Sequence, residues 1–271
     1  MPTKTLPRLS RRACYLILLV CIPLLVYLEY GKPVLTADPV LAPLWQMTLT
    51  RTLGAIVFFA LLWSEGYHVL NPLQRPFGRA LLFCLPAFLV VINNLPIVAL
   101  LTGDAYMVHH APVYWVAFAL RCLAIGLFEE TAFRGVILLM FARRRHTTRR
   151  GLLVAILLSS AVFGLIHLVN LFVGASPGDV FRQIGYSFLI GAMCAVVLFE
   201  TRNLWLCVLL HALFDFCGHL VPTLGAGTWW DTPTVVVTVI LAVATTVYMI
   251  LKFARLDLDR VAEIYRGKRS L

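Results

Sequence analysis

The sequence predicts an all-α, polytopic helical membrane protein with about eight transmembrane helices. Three observations predict it. The 271 residues are 61% apolar and 13% charged, whereas soluble domains run about 45–50% apolar and about 25% charged. Mean hydropathy is +0.87. The apolar residues also fall in runs of roughly 20, the length at which a helix crosses the hydrocarbon of a bilayer. A soluble core of this chain length could not hide so much apolar surface. A water-soluble enzyme, a disordered chain and a disulfide-stapled secreted domain are therefore excluded.

The first run, residues 14–30, follows Lys4, Arg8, Arg11 and Arg12 and is interrupted by Pro23. It has no small-x-small cleavage site after it, so it reads as an uncleaved anchor. The second run is 45–64. The third is 80–101, where Asn93, Asn94 and Pro96 mark a kink whose freed backbone groups need new partners. The fourth is 113–141 and the fifth 151–173. The sixth, 183–199, is short; 204–221 and 234–251 complete the set. Gly174, Pro177 and Gly178, and then Pro222, Gly225, Gly227 and Pro233, mark the outer loops.

Orientation follows from the basic residues. With both termini in the cytoplasm, the inner segments hold 18 of the 23 Lys and Arg. Cytoplasmic loops carry this excess in membrane proteins. The same rule accounts for the net charge of +10. No basic stripe lies outside loops and tails, so no nucleic-acid partner is expected. Cys14, Cys21, Cys84, Cys122, Cys194, Cys207 and Cys217 lie in or beside apolar runs without a CxxC pair. They read as packing residues. The tail from Leu251 alternates apolar and charged residues near helical spacing. It either lies on the inner membrane face or frays.

Ionisable groups inside spans are the functional candidates, because burying each costs several kcal/mol. They are Glu129, Glu130, Asp215, Arg121, Arg134, His167 and His211. At 100° per residue, Glu130 and Arg134 stand about 40° apart and can pair within one helix. Glu129 lies about 140° from Arg134 and is left without that partner. A carboxylate in an apolar setting suits a general base. Phe163 and His167 share a face of the fifth run; His211 and Asp215 share one of the seventh. From the cytoplasmic ends, Glu129, His167, His211 and Asp215 lie at depths of about 18, 24, 10 and 16 Å by helical rise. Helix tilt can absorb much of that spread and bring them to one site.

The ordered motifs Glu129-Glu130-x-x-x-Arg134, Phe163-x-x-x-His167 and His211-x-x-x-Asp215 resemble those of the CPBP family. That family comprises the CAAX-type intramembrane proteases, bacteriocin-processing relatives and abortive-infection proteins. The resemblance covers roughly 112–220, which makes 112–220 a protease-like core, 1–111 N-terminal spans and 221–271 a last span with a basic cytoplasmic tail. It implies hydrolysis of a peptide bond within the membrane. Glu129 and His167 would activate the water. His211 and Asp215 would stabilise the oxyanion, with Asp215 standing where the family also accepts Asn. An ionised carboxylate only accepts hydrogen bonds, so Asp215 would be protonated or would act by orienting His211.

Two His and two carboxylates also suit zinc with an open water position. If zinc binds, the candidates are Glu129, His167, His211 and Asp215. No HExxH is present, and a metal-free glutamate mechanism fits the same residues. GxSG and paired-aspartate GxGD patterns are absent from the sequence. The remaining polar residues have bland readings beside the functional ones. Arg121 either meets a substrate carboxylate or snorkels outward. Asn170 either orients His167 or bonds a neighbouring helix. His219 reads as interfacial, as do Trp205, Trp229 and Trp230.

The expected partners are the lipid bilayer and a membrane-associated peptide or protein substrate, with oligomeric state left open. The chain looks bacterial, which places it in the cytoplasmic membrane. A catalytically idle scaffold that modulates a membrane partner is the alternative. A proton-coupled transporter is a further one, but the inverted repeats that would favour it are not seen.

Overall fold

The structure, a computed structural model, describes residues 35–70, 76–228 and 230–265, together with Leu16, Val20, Leu24 and Tyr27. The first expected span as a continuous element, the basic residues before it, and residues 266–271 lie outside the described residues. So does Trp229.

Helix α1 (Leu41–Glu65) begins where Asp38 Oδ1 accepts the N–H groups of Val40 and Leu41, at 2.9 and 2.8 Å. It stops at Gly66, whose φ of 70° is left-handed and costs glycine nothing. Next come α2 (Phe77–Ile92) and α3 (Ile97–Thr102). The single span expected over 80–101 is thus broken, not merely kinked. Pro96 lacks an N–H and drives the residue before it out of the helical region. The side chains at the break tie it to the bundle: Asn93 Nδ2 donates to Thr238 Oγ1 at 2.8 Å, and Asn94 Nδ2 to the Phe214 carbonyl at 3.0 Å. At 16 residues, α2 alone falls short of a span.

Strand β1 (Ala105–Met107) leads to α4 (Pro112–Glu129), which has proline at its start where no N–H is needed. The chain then widens into a π segment (Glu130–Leu138) and tightens again in α5 (Leu139–Ala142). Thr148 caps α6 (Arg149–Leu165), and a 3-10 segment (Ile166–Val173) continues it. Ser176 caps α7 (Pro177–Thr201), which starts well before the expected 183. A left-handed turn at Arg202 (φ 54°) and a cap by Asn203 open α8 (Leu204–Leu224). Strand β2 (Gly225–Gly227) pairs antiparallel with β1. Asp231 caps α9 (Thr232–Ala254), and α10 (Leu258–Ala262) closes the described chain.

The protein is mainly helical, and five of its helical runs are long and apolar enough to cross a membrane: α1, α6 with its 3-10 continuation, α7, α8 and α9. The expected count of eight is not reached among the described residues. Helix α4 packs between α1 and α8, and α6 packs on α7. On α9, Val239, Ile240, Val243 and Val247 all face outward. Lipid accommodates such a face and water does not. As far as residue 265 the tail is packed and does not fray. Leu256, Val261 and Ile264 are buried, and the His68 N–H donates to the Ile264 carbonyl at 3.0 Å. Its spaced apolar residues find the end of the main core. Tyr265 adds a hydrogen bond from its hydroxyl to the Leu139 carbonyl at 3.3 Å.

Candidate active site

The two adjacent glutamates sit where α4 changes into the π segment. Glu129 is the last α residue and Glu130 the first π residue. A π turn shifts hydrogen bonds to i→i+5 and is often found at functional sites. Thr131 steadies the change, its hydroxyl reaching back to the Leu127 and Phe128 carbonyls at 2.7 and 3.0 Å. Close approach of α4 to α8 depends on Gly126. A Cβ there would stand 2.9 Å from the Val208 carbonyl oxygen and 3.0 Å from the Ala212 nitrogen. That contact brings both glutamates to His211.

His211 lies between the two carboxylates. Its Nδ1 donates to Glu130 Oε1 at 2.6 Å, and its Nε2 is 3.4 Å from Glu129 Oε2. Asp215, one turn on, places Oδ2 3.9 Å from the same Nε2. Arg134 Nη1 lies 3.1 Å from Glu130 Oε1, and the two side chains are 1% and 0% exposed. The Arg134 guanidinium also sits 4.3 Å over the Phe163 ring. Glu130 therefore serves Arg134 and His211 with one oxygen. Glu129 is 13% exposed and faces the cavity.

His167 enters from the 3-10 segment. Its Nδ1 donates to the Phe163 carbonyl at 3.0 Å. That bond fixes the proton on Nδ1 and leaves the Nε2 lone pair available. The His167 and His211 rings both meet Phe163 edge-on, with centroids at 5.4 and 5.8 Å. All four expected site residues (Glu129, His167, His211 and Asp215) line one cavity of about 810 Å³. Most of its wall is apolar, including Phe58, Phe128, Phe133 and Phe172. Volume and lining suit an apolar ligand or segment.

Zinc can be tested against this donor set. Oxygen and nitrogen ligands at about 2.0–2.2 Å round a tetrahedral zinc stand about 3.4 Å apart. His211 Nε2 is 3.4 Å from Glu129 Oε2 and 3.9 Å from Asp215 Oδ2, and that Asp215 oxygen is buried without a hydrogen bond. The ligand atoms of Glu129, His211 and Asp215 are nevertheless not all within 4.8 Å of one another, so these residues as placed do not fit a tetrahedral ion. A second group was invisible in the sequence, where Cys194 and Cys207 read as packing residues. Their sulfurs and a Glu130 oxygen lie within 4.8 Å of one another. Arg134 and His211 already engage that carboxylate.

Other expectations resolve by position. Asn170 donates to Gln183 Oε1 at 2.8 Å and so links the 3-10 segment to α7, not to His167. His219 lines the cavity with its Nδ1 on the Asp215 carbonyl at 3.0 Å. Arg121 lines the cavity as well. Arg51, in the sequence a basic residue at a span edge, is a lining residue that the sequence did not reveal; its guanidinium stands 5.0 Å over the Phe128 ring. Only the α1–α4 contact places it there, and no local pattern reports such a contact.

The family model described as type II CAAX prenyl endopeptidase Rce1-like matches residues 111–217. That segment holds all three motifs and every residue of the His211 cluster. No curated protein and no solved structure matches the chain.

Proposed function

We propose that this chain, whose residues 111–217 match the Rce1-like CAAX prenyl endopeptidase model, hydrolyses a peptide bond of a membrane-associated peptide with a water activated by Glu129. The observation that carries the reading is the division of labour between the two glutamates. Glu130 is consumed by Arg134 and His211, while Glu129 faces the cavity.

The water attacks the scissile carbonyl carbon and gives its proton to Glu129. The His167 Nε2 lone pair accepts the second hydrogen of that water and orients it. The carbonyl oxygen gains negative charge in the tetrahedral intermediate. His211, held by its Nδ1 bond to Glu130, donates Nε2–H to that oxygen, and the Asp215 carboxyl stands 3.9 Å from the same nitrogen. Donors fixed in advance in a dry site stabilise such an oxyanion strongly. The C–N bond then breaks, and Glu129 returns its proton to the leaving amine.

The test is the initial cleavage rate of a membrane peptide by full-length protein in proteoliposomes. Glu129→Gln is nearly isosteric but cannot take a proton. It should lower the rate by about 10²–10⁴-fold with the fold retained. Retention of more than about a tenth of the rate is outside that range and would turn the reading to a scaffold or transporter.

A further inference from the structure

We propose that the side-chain amides of Asn170 and Gln183 together bind one backbone unit of the substrate, about two residues from the bond that is cut. The proposal rests on the hydrolase reading above and adds the groups that hold the substrate chain beside the activated water. Asn170 stands on the 3-10 segment three residues after His167, and both line the cavity. Residues i and i+3 of a 3-10 helix eclipse, and the rise is about 2.0 Å per residue. Asn170 is therefore in line with His167 and about 6 Å further along the wall. An extended peptide advances about 3.3 Å per residue, so about two residues cover that distance.

Gln183 reaches the same place from α7. It shares the cavity-lining face of that helix with Tyr186, Ser187 and Ile190, at steps of three, four and seven residues. Asn170 Nδ2 donates to Gln183 Oε1 at 2.8 Å, which engages one donor hydrogen and one acceptor. Asn170 Oδ1 and Gln183 Nε2 take no other hydrogen bond among the described residues, and both side chains are only half-buried. The pair thus presents an acceptor beside a donor. That is the complement of the N–H and C=O of one extended residue, as in the hydrogen-bonded pair of an antiparallel ladder. A peptide entering this largely apolar cavity leaves its water partners behind, and an unmatched backbone group there is costly. Tying the 3-10 segment to α7 needs only the one bond. The second polar atom on each amide is what a peptide ligand would use.

The experiment uses full-length protein in detergent and a fluorescent farnesylated decapeptide ending in Cys-Val-Val-Leu. A companion series replaces one backbone amide at a time by an ester, which removes a single N–H with little change of shape. Binding is read on Glu129→Gln protein, and mass spectrometry of wild-type products locates the bond cut. One ester, about two residues from that bond, should bind about three- to tenfold more weakly than the parent. Asn170→Leu keeps the shape and loses the acceptor. That variant, made in the Glu129→Gln background, should bind the parent more weakly by a similar factor and show no penalty for the same ester. Asn170→Ala repeats the test should Asn170→Leu fail to accumulate. A merely structural tie would weaken every peptide alike and leave the ester penalty in place. A flat ester series, a penalty that persists without Asn170, a sensitive position more than about three residues from the cut, or no binding of the parent overturns the proposal. The penalty and its loss, without cleavage by wild type, retain the amide clamp and remove the hydrolase reading. Cleavage with a flat series does the reverse.

Discussion

His211 Nδ1 stands 2.6 Å from Glu130 Oε1, and that same oxygen is 3.1 Å from Arg134 Nη1. One carboxylate oxygen, wholly buried, thus links the π segment to α8. Removing either charge strands the other in a dry core, a loss that costs about 3–5 kcal/mol in such settings. Glu130→Ala and Arg134→Ala should therefore accumulate in membranes less than Glu129→Ala does. Quantitative immunoblots of isolated membranes check this. Equal levels for all three would remove the distinction between the two glutamates.

Gly126→Ala should weaken both stability and turnover. Its Cβ would press on the Val208 carbonyl and the Ala212 nitrogen, backbone atoms that cannot step aside. Overpacking of this kind costs about 1–3 kcal/mol. The shift separates α4 from α8, and the 2.6 Å bond to His211 lengthens first. Thermal unfolding in detergent together with the cleavage rate is the measurement. A variant as stable and active as wild type would show that helix contact at Gly126 does not set the site.

Glu129→Gln and His167→Ala act on one water, so their effects should not add. Each alone should cost about 10²–10⁴-fold, and the double variant little more than the worse single one. Rates of the four proteins at matched concentration close the cycle. Multiplication of the two losses would place His167 outside the water-activating unit.

Both termini are proposed to face the cytoplasm, on the distribution of 18 of 23 basic residues. Reporter fusions after residue 12 and after residue 271 should both report the inside. An outside signal at either end would reverse the assignment or change the number of spans by one.

What the sequence determined by itself was whatever depends on composition and on spacing within one helix. Its apolar runs and low charge demand a helical membrane protein. The four-residue steps from Glu130 to Arg134 and from His211 to Asp215 put each pair on one face, because a helix turns in about 3.6 residues. The motifs over 112–220 also indicated a resemblance to the kind of family whose model matches residues 111–217. Relations between helices lay beyond it. Depth counting left His211 about 8 Å from the level of Glu129, yet the structure sets Nε2 and Oε2 3.4 Å apart. The π turn after Glu129 and the glycine contact at Gly126 help to close that gap, and neither has a signature in local hydropathy. The break at residues 93–96 was legible as a proline, but its extent was decided by Thr238 and the Phe214 carbonyl, which take up the freed asparagines. Arg51 and the Cys194–Cys207 pair acquire meaning only from neighbours far away in the chain. Side-chain pairing within a turn is fixed by backbone geometry, whereas pairing across a bundle is fixed by which helix faces pack, and that is the property of the whole tertiary structure.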